Sequence, residues 1–302
     1  MKAKLFVNSN SFKYTKNTTV DSFSYNIAVF TELLNYISKF DDDIYIDEKS
    51  FYETEIFPDK SLSDLLFKDR QEYDCKDTLD LLLTLITKIT QIPSDMRPIS
   101  ELIKDKNVCS ALLVLDKHSD IDIENAKQVL ATKRDWIEFH RNCLISIRLD
   151  APEEFLKESE CYFEKLIIHP DNKFTLSKIY KTHLKRLVEY LSIMNDCLLN
   201  EYKESRDTSD DFVSFLKSFA SSHSKKIDGA SFEGSFKNDF QKEKFSKCFC
   251  INGSSKRVLC EPHLKMDKDD KGKRSPGRIY FKALKAEDSF VYIGIITDHI
   301  HK

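Results

Sequence analysis

The first three quarters of this chain lack glycine. All six glycines of the 302-residue sequence lie between Gly229 and Gly294, although glycine makes up about 7% of an average protein. Because glycine is disfavoured inside helices and favoured in tight turns, the sequence predicts a mostly helical body followed by a region rich in strands and turns. The same gap leaves no glycine-rich loop to cradle phosphate groups, so nucleotide hydrolysis by a P-loop is not expected.

The sequence also has no apolar run that approaches the roughly 18 residues needed to cross a bilayer. The N-terminal apolar run, residues 5–7, is too short for the core of a signal peptide. We therefore expect a cytoplasmic protein with no membrane partner. The eight cysteines are scattered, mostly within apolar stretches, so we expect reduced thiols and no disulfide framework.

The net charge of the chain changes sign near the residue at which the glycines begin. Residues 224–302 contain 17 Lys and Arg against 11 Asp and Glu, a net charge of +6, whereas residues 1–223 contain 30 against 39, a net charge of −9. The polar segment 221–234 between them is typical of a linker or long loop. We predict an α+β protein: a large, mainly α-helical domain (1–223) for sensing or partner binding, and a small antiparallel β-sheet domain (224–302).

Periodicity gives a coarse view of the body. The KLFVN segment at 4–8 indicates an edge strand, and the alternation within 43–57 indicates further short strands. Helical spacing predicts helices over most of the remainder, including 107–116 and 173–204. The body is therefore expected to contain at most a minor N-terminal sheet.

The C-terminal region has the pattern of an antiparallel meander. Strands are predicted near 246–251, 256–265, 278–284 and 290–297, because runs of apolar and aromatic residues there are separated by turn residues. Asn252-Gly253 suits a tight turn between the first two strands.

Polar side chains follow the second and third predicted strands at a spacing of two. Residues two apart share a face of a strand, so His263 and Lys265 share one face, as do Arg278 and Tyr280 on the next strand. If the two strands are antiparallel neighbours, the loop 267–277 places Lys265 near Arg278 and His263 near Tyr280. We expect these polar side chains to meet on an open face.

This group of side chains suits the cleavage of a phosphodiester bond. His263 would act as general base or acid. Lys265 and Arg278 would hold the phosphate and stabilise the charge that develops in the transition state. Tyr280 would stack on or orient a base, and His299 would assist proton transfer. The reaction needs no metal or other cofactor, and the plain alternative is a solvated sheet face.

The loop 267–277 is expected to guide nucleic acid to that face. Lys271, Lys273 and Arg274, with Lys282 on the third strand, can replace counterions on phosphates. Three aspartates interrupt the loop, however, and they argue against this role or favour docking of a basic partner: Asp267, Asp269 and Asp270.

Metal-dependent cleavage is a rival chemistry for the same strands. Glu261, His263 and His299 carry ligand atoms that suit zinc or manganese. His301 adds a second imidazole at the chain end. A further alternative is a sheet that binds nucleic acid or protein without catalysis.

The C-terminal string LCEPHLKM…GRIYFKAL…VYIGIITDHIHK resembles a prokaryotic family associated with phage-defence loci. The matching positions are His263, Lys265, Arg278, Tyr280, Gly294 and His299. Thr297-Asp298 stands where that family has a glycine-containing turn before the histidine. The last fifth of the chain is also similar to the RelE/ParE superfamily of ribonuclease toxins.

The resemblance implies a toxin-like effector module attached to a helical domain. Its activity would be that of a metal-independent endoribonuclease in anti-phage defence, with RNA favoured over DNA as partner. Protein subunits of a defence complex are the other partners that it implies. A non-catalytic subunit of such a complex is the alternative that the resemblance also allows, because several branches of the toxin superfamily do not cut RNA.

Overall fold

The computed structural model describes residues 1–16, 18–68, 76–93, 95–105, 107–117, 126–147, 149, 151–205, 211–233, 239–251, 253–285 and 287–298. The chain forms two compact units, residues 1–147 and residues 148–302. The boundary expected near residue 223 lies inside the second unit, so the preceding helices of that unit belong with the C-terminal strands.

The first unit alternates strands and helices. Its strands are β1 (Lys4–Val7), β2 (Asp43–Ile46), β3 (Glu55–Phe57), β4 (Lys60–Ser61), β5 (Thr90–Gln91), β6 (Ser110–Leu113) and β7 (Val129–Leu130). Its helices are α1 (Val20–Ile37), α2 (Glu48–Tyr52), α3 (Leu62–Phe67), α4 (Lys76–Ile86), α5 (Ile99–Lys104) and α6 (Lys133–Ile147).

Five of these strands form a parallel sheet in the order β5-β2-β1-β6-β7. β1 is the middle strand, and Leu5, Phe6 and Val7 are all buried although their side chains alternate between the two faces. The predicted class, a mainly helical N-terminal domain with a small C-terminal sheet, is therefore wrong: the first unit is α/β. The edge-strand assignment of 4–8 and the helix at 107–116 are also wrong, because a strand covered on both faces reads as a continuous apolar run.

The argument from glycine failed because other residues make the turns of the first unit. Thr19 and Ser61 begin α1 and α3 through capping boxes, and Asp47 caps α2. Asp59 takes a left-handed conformation, with φ of 62°, which aspartate tolerates better than most residues. Parallel strands and helices can therefore alternate here without glycine.

Two buried connections of the first unit were not expected. The Asp42 carboxylate accepts a hydrogen bond of 2.8 Å from Trp136 Nε1 and lies 2.9 Å from His140 Nε2. A disulfide joins Cys109 to Cys143, which differs from the expectation that all cysteines are reduced. Both cysteines are buried, and their separation of 34 residues carries no sequence signal for pairing.

The second unit combines helices with a largely antiparallel sheet. The helices are α7 (Pro152–Tyr162), α8 (Asn172–Thr175), α9 (Tyr180–Ile193), α10 (Leu199–Ser205), α11 (Phe212–Ser222) and α12 (Asp239–Lys244). A π-helical turn, Met194–Leu198, joins α9 to α10. The strands are β8 (Leu166–Ile168), β9 (Gly229–Ser231), β10 (Ser246–Ile251), β11 (Ser254–Leu259), β12 (His263–Lys268), β13 (Arg274–Phe281) and β14 (Val291–Asp298).

The main sheet of this unit has the order β8-β14-β13-β12-β9. Every pair in it is antiparallel except β14 with β8. β10 and β11 form a separate hairpin, so the single strand expected at 256–265 is wrong. The chain divides at Glu261-Pro262, where proline cannot donate to a strand ladder.

The β10–β11 hairpin covers one face of the main sheet. The buried cluster between them is Phe245, Phe249, Val258, Cys260, Tyr280, Tyr292 and Ile295. Gly294 lies so close to the hairpin that an added Cβ would be 2.5 Å from Cys260 Sγ. The face that carries Tyr280 is therefore packed rather than open, because the hairpin supplies apolar side chains that the meander alone lacks. Across the described part of the chain, no helix combines the length and apolarity of a bilayer span.

Candidate nucleic-acid interface

β12 and β13 bring the polar pairs together in the expected register. His263 lies opposite Tyr280, and Lys265 lies opposite Arg278. The loop expected at 267–277 is shorter in the structure, because β12 continues to Lys268 and β13 begins at Arg274. We keep the name β12–β13 loop for residues 267–277, which include the adjoining strand ends. The neighbouring pairs anticipated from the sequence are thus present.

His263 and Tyr280 form a buried network with Glu233. The two rings lie with centroids 4.7 Å apart, and the Tyr280 hydroxyl donates a hydrogen bond of 2.9 Å to Glu233 Oε1. The same carboxylate oxygen lies 3.7 Å from His263 Nδ1. His263 is 4% exposed and Tyr280 is 1% exposed, so neither ring is open to a large ligand.

Burial sets the protonation state of this network. Desolvation lowers the pKa of His263 to about 4, because the cost of burying charge outweighs the attraction of Glu233. Burial, with the hydrogen bond to Glu233, raises the pKa of the Tyr280 hydroxyl. At neutral pH the imidazole can therefore accept a proton but holds none to donate as an imidazolium.

The second pair is also directed partly inward. Arg278 Nη1 donates to Asp267 Oδ1 at 3.1 Å and to the carbonyl of Gly277 at 2.7 Å, and Arg278 is buried. Lys265 is half-buried. Neither side chain stands alone on a solvated surface, so a phosphate would have to compete with Asp267 for the guanidinium.

Lys282 lies apart from the other cations. Its Nζ contacts both carboxylate oxygens of Asp288, at 2.6 and 2.5 Å, and lies 5.6 Å from the centre of the Tyr292 ring. The two partners of the ion pair are 18% and 11% exposed. Lys282 therefore stabilises the turn between β13 and β14 and is not part of the exposed cationic surface.

The loop between β12 and β13 presents its cations to solvent. Lys271, Lys273 and Arg274 are exposed, as is Lys268 at the end of β12. Within the described ranges, no salt bridge involves any of these four side chains. They span seven residues of sequence, so their charges lie on one short segment.

The three aspartates of this loop all have partners within the protein, although Asp267 is itself exposed. Asp267 contacts Arg278. Asp269 Oδ1 accepts hydrogen bonds from the backbone N–H groups of Lys271 and Lys273, at 2.9 and 2.8 Å. Because these contacts are internal, the acidic residues shape the loop while the basic side chains remain on its outside.

Asp270 joins the loop to α9. Its carboxylate accepts hydrogen bonds of 3.0 Å from the backbone N–H groups of Lys185 and Arg186, and its own N–H donates to the carbonyl of Thr182 at 2.8 Å. His183 Nε2 lies 2.9 Å from the Ser275 carbonyl. These contacts fix the end of the β12–β13 hairpin against the helix.

Two lysines of α9 extend the surface. Lys181 and Lys185 are exposed. They are the sequence neighbours of Thr182 and Arg186, whose backbone groups bind Asp270. We call the six side chains the cationic ridge: Lys181, Lys185, Lys268, Lys271, Lys273 and Arg274. The sequence places Lys181 and Lys185 on a helix but gives no indication that this helix adjoins the loop, because that contact depends on Asp270.

The remaining site predictions have different outcomes. His299 and His301 lie outside the described residues. Glu261 reaches His263 Nδ1 through its backbone carbonyl, at 3.3 Å, and this pair is not among the metal-ligand groupings of the described residues. Two further residues were missed, Glu233 and Asp228, whose carboxylate accepts a hydrogen bond of 2.6 Å from the backbone N–H of Asp267. Both belong to the segment interpreted as a linker, and the pairing of β9 with β12 brings them to the site.

Comparison with known proteins adds no relative: no family model, curated protein or solved structure matches this chain.

Proposed function

We propose that the second unit binds single-stranded nucleic acid, RNA in preference to DNA, along the cationic ridge. The observation that carries this proposal is the exposure of the four loop cations, beside hydrogen bonds that hold the Asp269 and Asp270 carboxylates against backbone N–H groups. The loop 267–277 has a net charge of +1, from four basic and three acidic side chains. Its cations are exposed on a backbone that Asp270 joins to α9, and Lys181 and Lys185 raise the local positive charge.

Electrostatics explains why such a ridge attracts a polyanion. Each cation that neutralises a phosphate releases a condensed counterion, and this release is the main source of sequence-independent affinity. A loop fixed by Asp270 and His183 loses little conformational entropy when it binds. The preference for RNA rests on the resemblance of β12–β14 to ribonuclease toxins.

Binding is favoured over catalysis because of the burial of the network. His263 and Tyr280 are almost inaccessible, and Arg278 is occupied by Asp267. Metal-independent RNA cleavage is the second candidate, and one observation supports it: His263 is held neutral beside the Lys265–Arg278 pair. A neutral imidazole is the form that removes a proton from a 2′-hydroxyl.

Fluorescence anisotropy with a labelled single-stranded RNA and its DNA counterpart, at several salt concentrations, tests the proposal. We expect binding to RNA to weaken steeply with salt, with a log–log slope of about −3.5 to −4 if five or six cations contact phosphates. Binding that is absent or insensitive to salt for both nucleic acids would contradict the proposal.

Cleavage is tested in the same samples by the length of the RNA after incubation with a chelator present. If the protein cuts RNA, His263→Gln should abolish cutting while the RNA affinity stays unchanged. If the full-length RNA persists with the wild-type protein, the second candidate is wrong and the binding function is unaffected. A role in phage defence, as a complex subunit, is proposed on the resemblance alone.

A further inference from the structure

Three side chains with metal-ligating atoms converge at the end of two helices in the second unit. Cys197 lies in the π-helical turn before α10, Glu201 lies on α10, and His223 follows the last residue of α11. One ligand atom from each residue lies within 4.8 Å of those of the other two. None of these residues contributes to the cationic ridge.

Local structure explains why the three meet. Cys197 and Glu201 are four residues apart, which places them on one face of a helix. Rings of α10 and α11 pack together, with Tyr202 and Phe215 5.0 Å apart between centroids. This packing brings the end of α11 over that face, where His223 Nε2 lies 2.8 Å from Glu201 Oε1.

The donor set selects a class of metal. A thiolate and an imidazole suit Zn²⁺ and related transition-metal dications, whereas Mg²⁺ and Ca²⁺ require oxygen ligands. Zinc binds sulfur at about 2.3 Å and nitrogen at about 2.0–2.1 Å, so its ligand atoms lie roughly 3.5 Å apart. The ligand atoms of Cys197, Glu201 and His223 lie within 4.8 Å of one another, close to this spacing.

We propose that Cys197, Glu201 and His223 form a three-ligand site for a Zn²⁺-type transition-metal ion. Access from solvent is available, since the side chains of His223 and Glu201 are 24% and 36% exposed. Three protein ligands leave a fourth tetrahedral position for water or for another ligand. The π-helical turn is consistent with a functional role, because such turns occur often at functional sites.

The ion would connect α10 to α11 and thereby fix α11 against the main sheet. Phe212 of α11 lies 6.4 Å from Phe281 of β13, ring centroid to ring centroid. Metal binding that requires the folded arrangement adds its free energy to folding. The metal would therefore stabilise the second unit without touching the proposed nucleic-acid surface.

Titration of the chelator-treated full-length protein with Co²⁺, under reducing conditions, tests the site. A bound Co²⁺ should give tetrahedral d–d bands and a thiolate-to-metal charge-transfer band in the near ultraviolet, at one ion per chain, and Zn²⁺ should displace it. Cys197→Ser should remove the charge-transfer band. His223→Gln should weaken Zn²⁺ binding by more than about 100-fold, since loss of a mere supporting contact costs 10–100-fold.

Cys250→Ser is the matched control, because Cys250 is an exposed thiol of β10 and belongs to the closely spaced cysteine pair Cys248-x-Cys250. It should leave the spectrum and the affinity unchanged. Zn²⁺ should raise the unfolding temperature of the wild type and of Cys250→Ser, but not that of Cys197→Ser.

Three results would overturn the proposal. One is the absence of stoichiometric binding. Another is a Co²⁺ complex whose charge-transfer band survives Cys197→Ser. The last is a band lost in Cys250→Ser, which would assign the metal to the hairpin. Far-ultraviolet circular dichroism of the metal-free variants shows whether each one is folded. If His223→Gln does not fold, the more conservative Cys197→Ser still tests the site.

Discussion

The carboxylate of Asp270 accepts a hydrogen bond of 3.0 Å from the backbone N–H of Lys185. This contact attaches the β12–β13 loop to α9 and directs one negative charge of the loop into the protein. Asp269 likewise accepts hydrogen bonds from backbone N–H groups, whereas the exposed Asp267 pairs with the Arg278 guanidinium. The Asp270 carboxylate therefore faces the helix, while the cations of the loop remain exposed.

Asp270→Ala is expected to lower the free energy of unfolding by about 1–2 kcal/mol, because two backbone N–H groups of α9 lose their acceptor. Urea-induced unfolding measures the change. Glu287→Ala is the control, since Glu287 is exposed and its ion pair with Lys285 is 4.0 Å long, and it should shift stability by less than about 0.5 kcal/mol. Equal effects of the two substitutions would contradict the anchoring role of Asp270.

Gly294→Ala tests the close approach of the hairpin to the main sheet. An added Cβ would lie 2.5 Å from Cys260 Sγ and 2.9 Å from Cys260 Cβ, so the hairpin must move. We expect a loss of about 1–3 kcal/mol in urea unfolding. Adding Cys260→Ala should recover part of that loss, because it removes the nearer atom, and purely additive effects of the two substitutions would show that they do not meet.

The buried imidazole of His263 predicts a pH dependence of stability. Its pKa falls from 6.5 to about 4 on folding, so the unfolded chain binds more protons between these values. The stabilisation is complete above about pH 6.5 and is lost as pH falls towards 4, by at most about 3 kcal/mol. Unfolding free energies of the wild type and His263→Gln, measured from pH 7 to 4, should converge as pH falls. Parallel curves would refute a buried, neutral His263.

Asp42→Ala should destabilise the first unit by about 3 kcal/mol or more, because it leaves Trp136 Nε1 and the Ala3 N–H without their acceptor in the core. Burial opposes the charge of Asp42, but the hydrogen bonds to His140, Ala3 and Trp136 outweigh it and lower its pKa. The contribution of Asp42 is therefore present above the ordinary carboxylate pKa and is lost as pH falls below it. Thermal unfolding of Asp42→Ala, compared with exposed Asp41→Ala, measures the effect.

Local sequence patterns predicted the strand pairing, which depends on the alternation of side chains between the two faces of a strand. The pairing of His263 with Tyr280 and of Lys265 with Arg278 follows from side-chain alternation and a short connection. The parallel sheet was missed because β1 and β6 are covered on both faces and do not alternate. The packing of the β10–β11 hairpin over Tyr280 was missed because Pro262 separates β11 from β12. The sequence does not show that the chain leaves one sheet and enters another at this residue.

The candidate site was predictable only in part, for a similar reason. Strand alternation identifies which side chains share a face, but burial of that face depends on a hairpin elsewhere in the chain. The cations of the loop were evident from sequence, whereas the direction of Asp269 and Asp270 depends on backbone N–H groups that only the folded structure brings within reach.

The salt dependence of RNA binding by Lys271→Ala/Lys273→Ala/Arg274→Ala tests the central claim most directly. The matched control removes three exposed lysines of other elements, Lys157 of α7, Lys217 of α11 and Lys256 of β11, and so lowers the net charge equally. The account predicts that the loop variant lowers the log–log slope by about two units while the control keeps the wild-type slope. Equal slopes for the loop variant and the control would show that binding follows net charge alone, and would contradict a nucleic-acid interface at this loop.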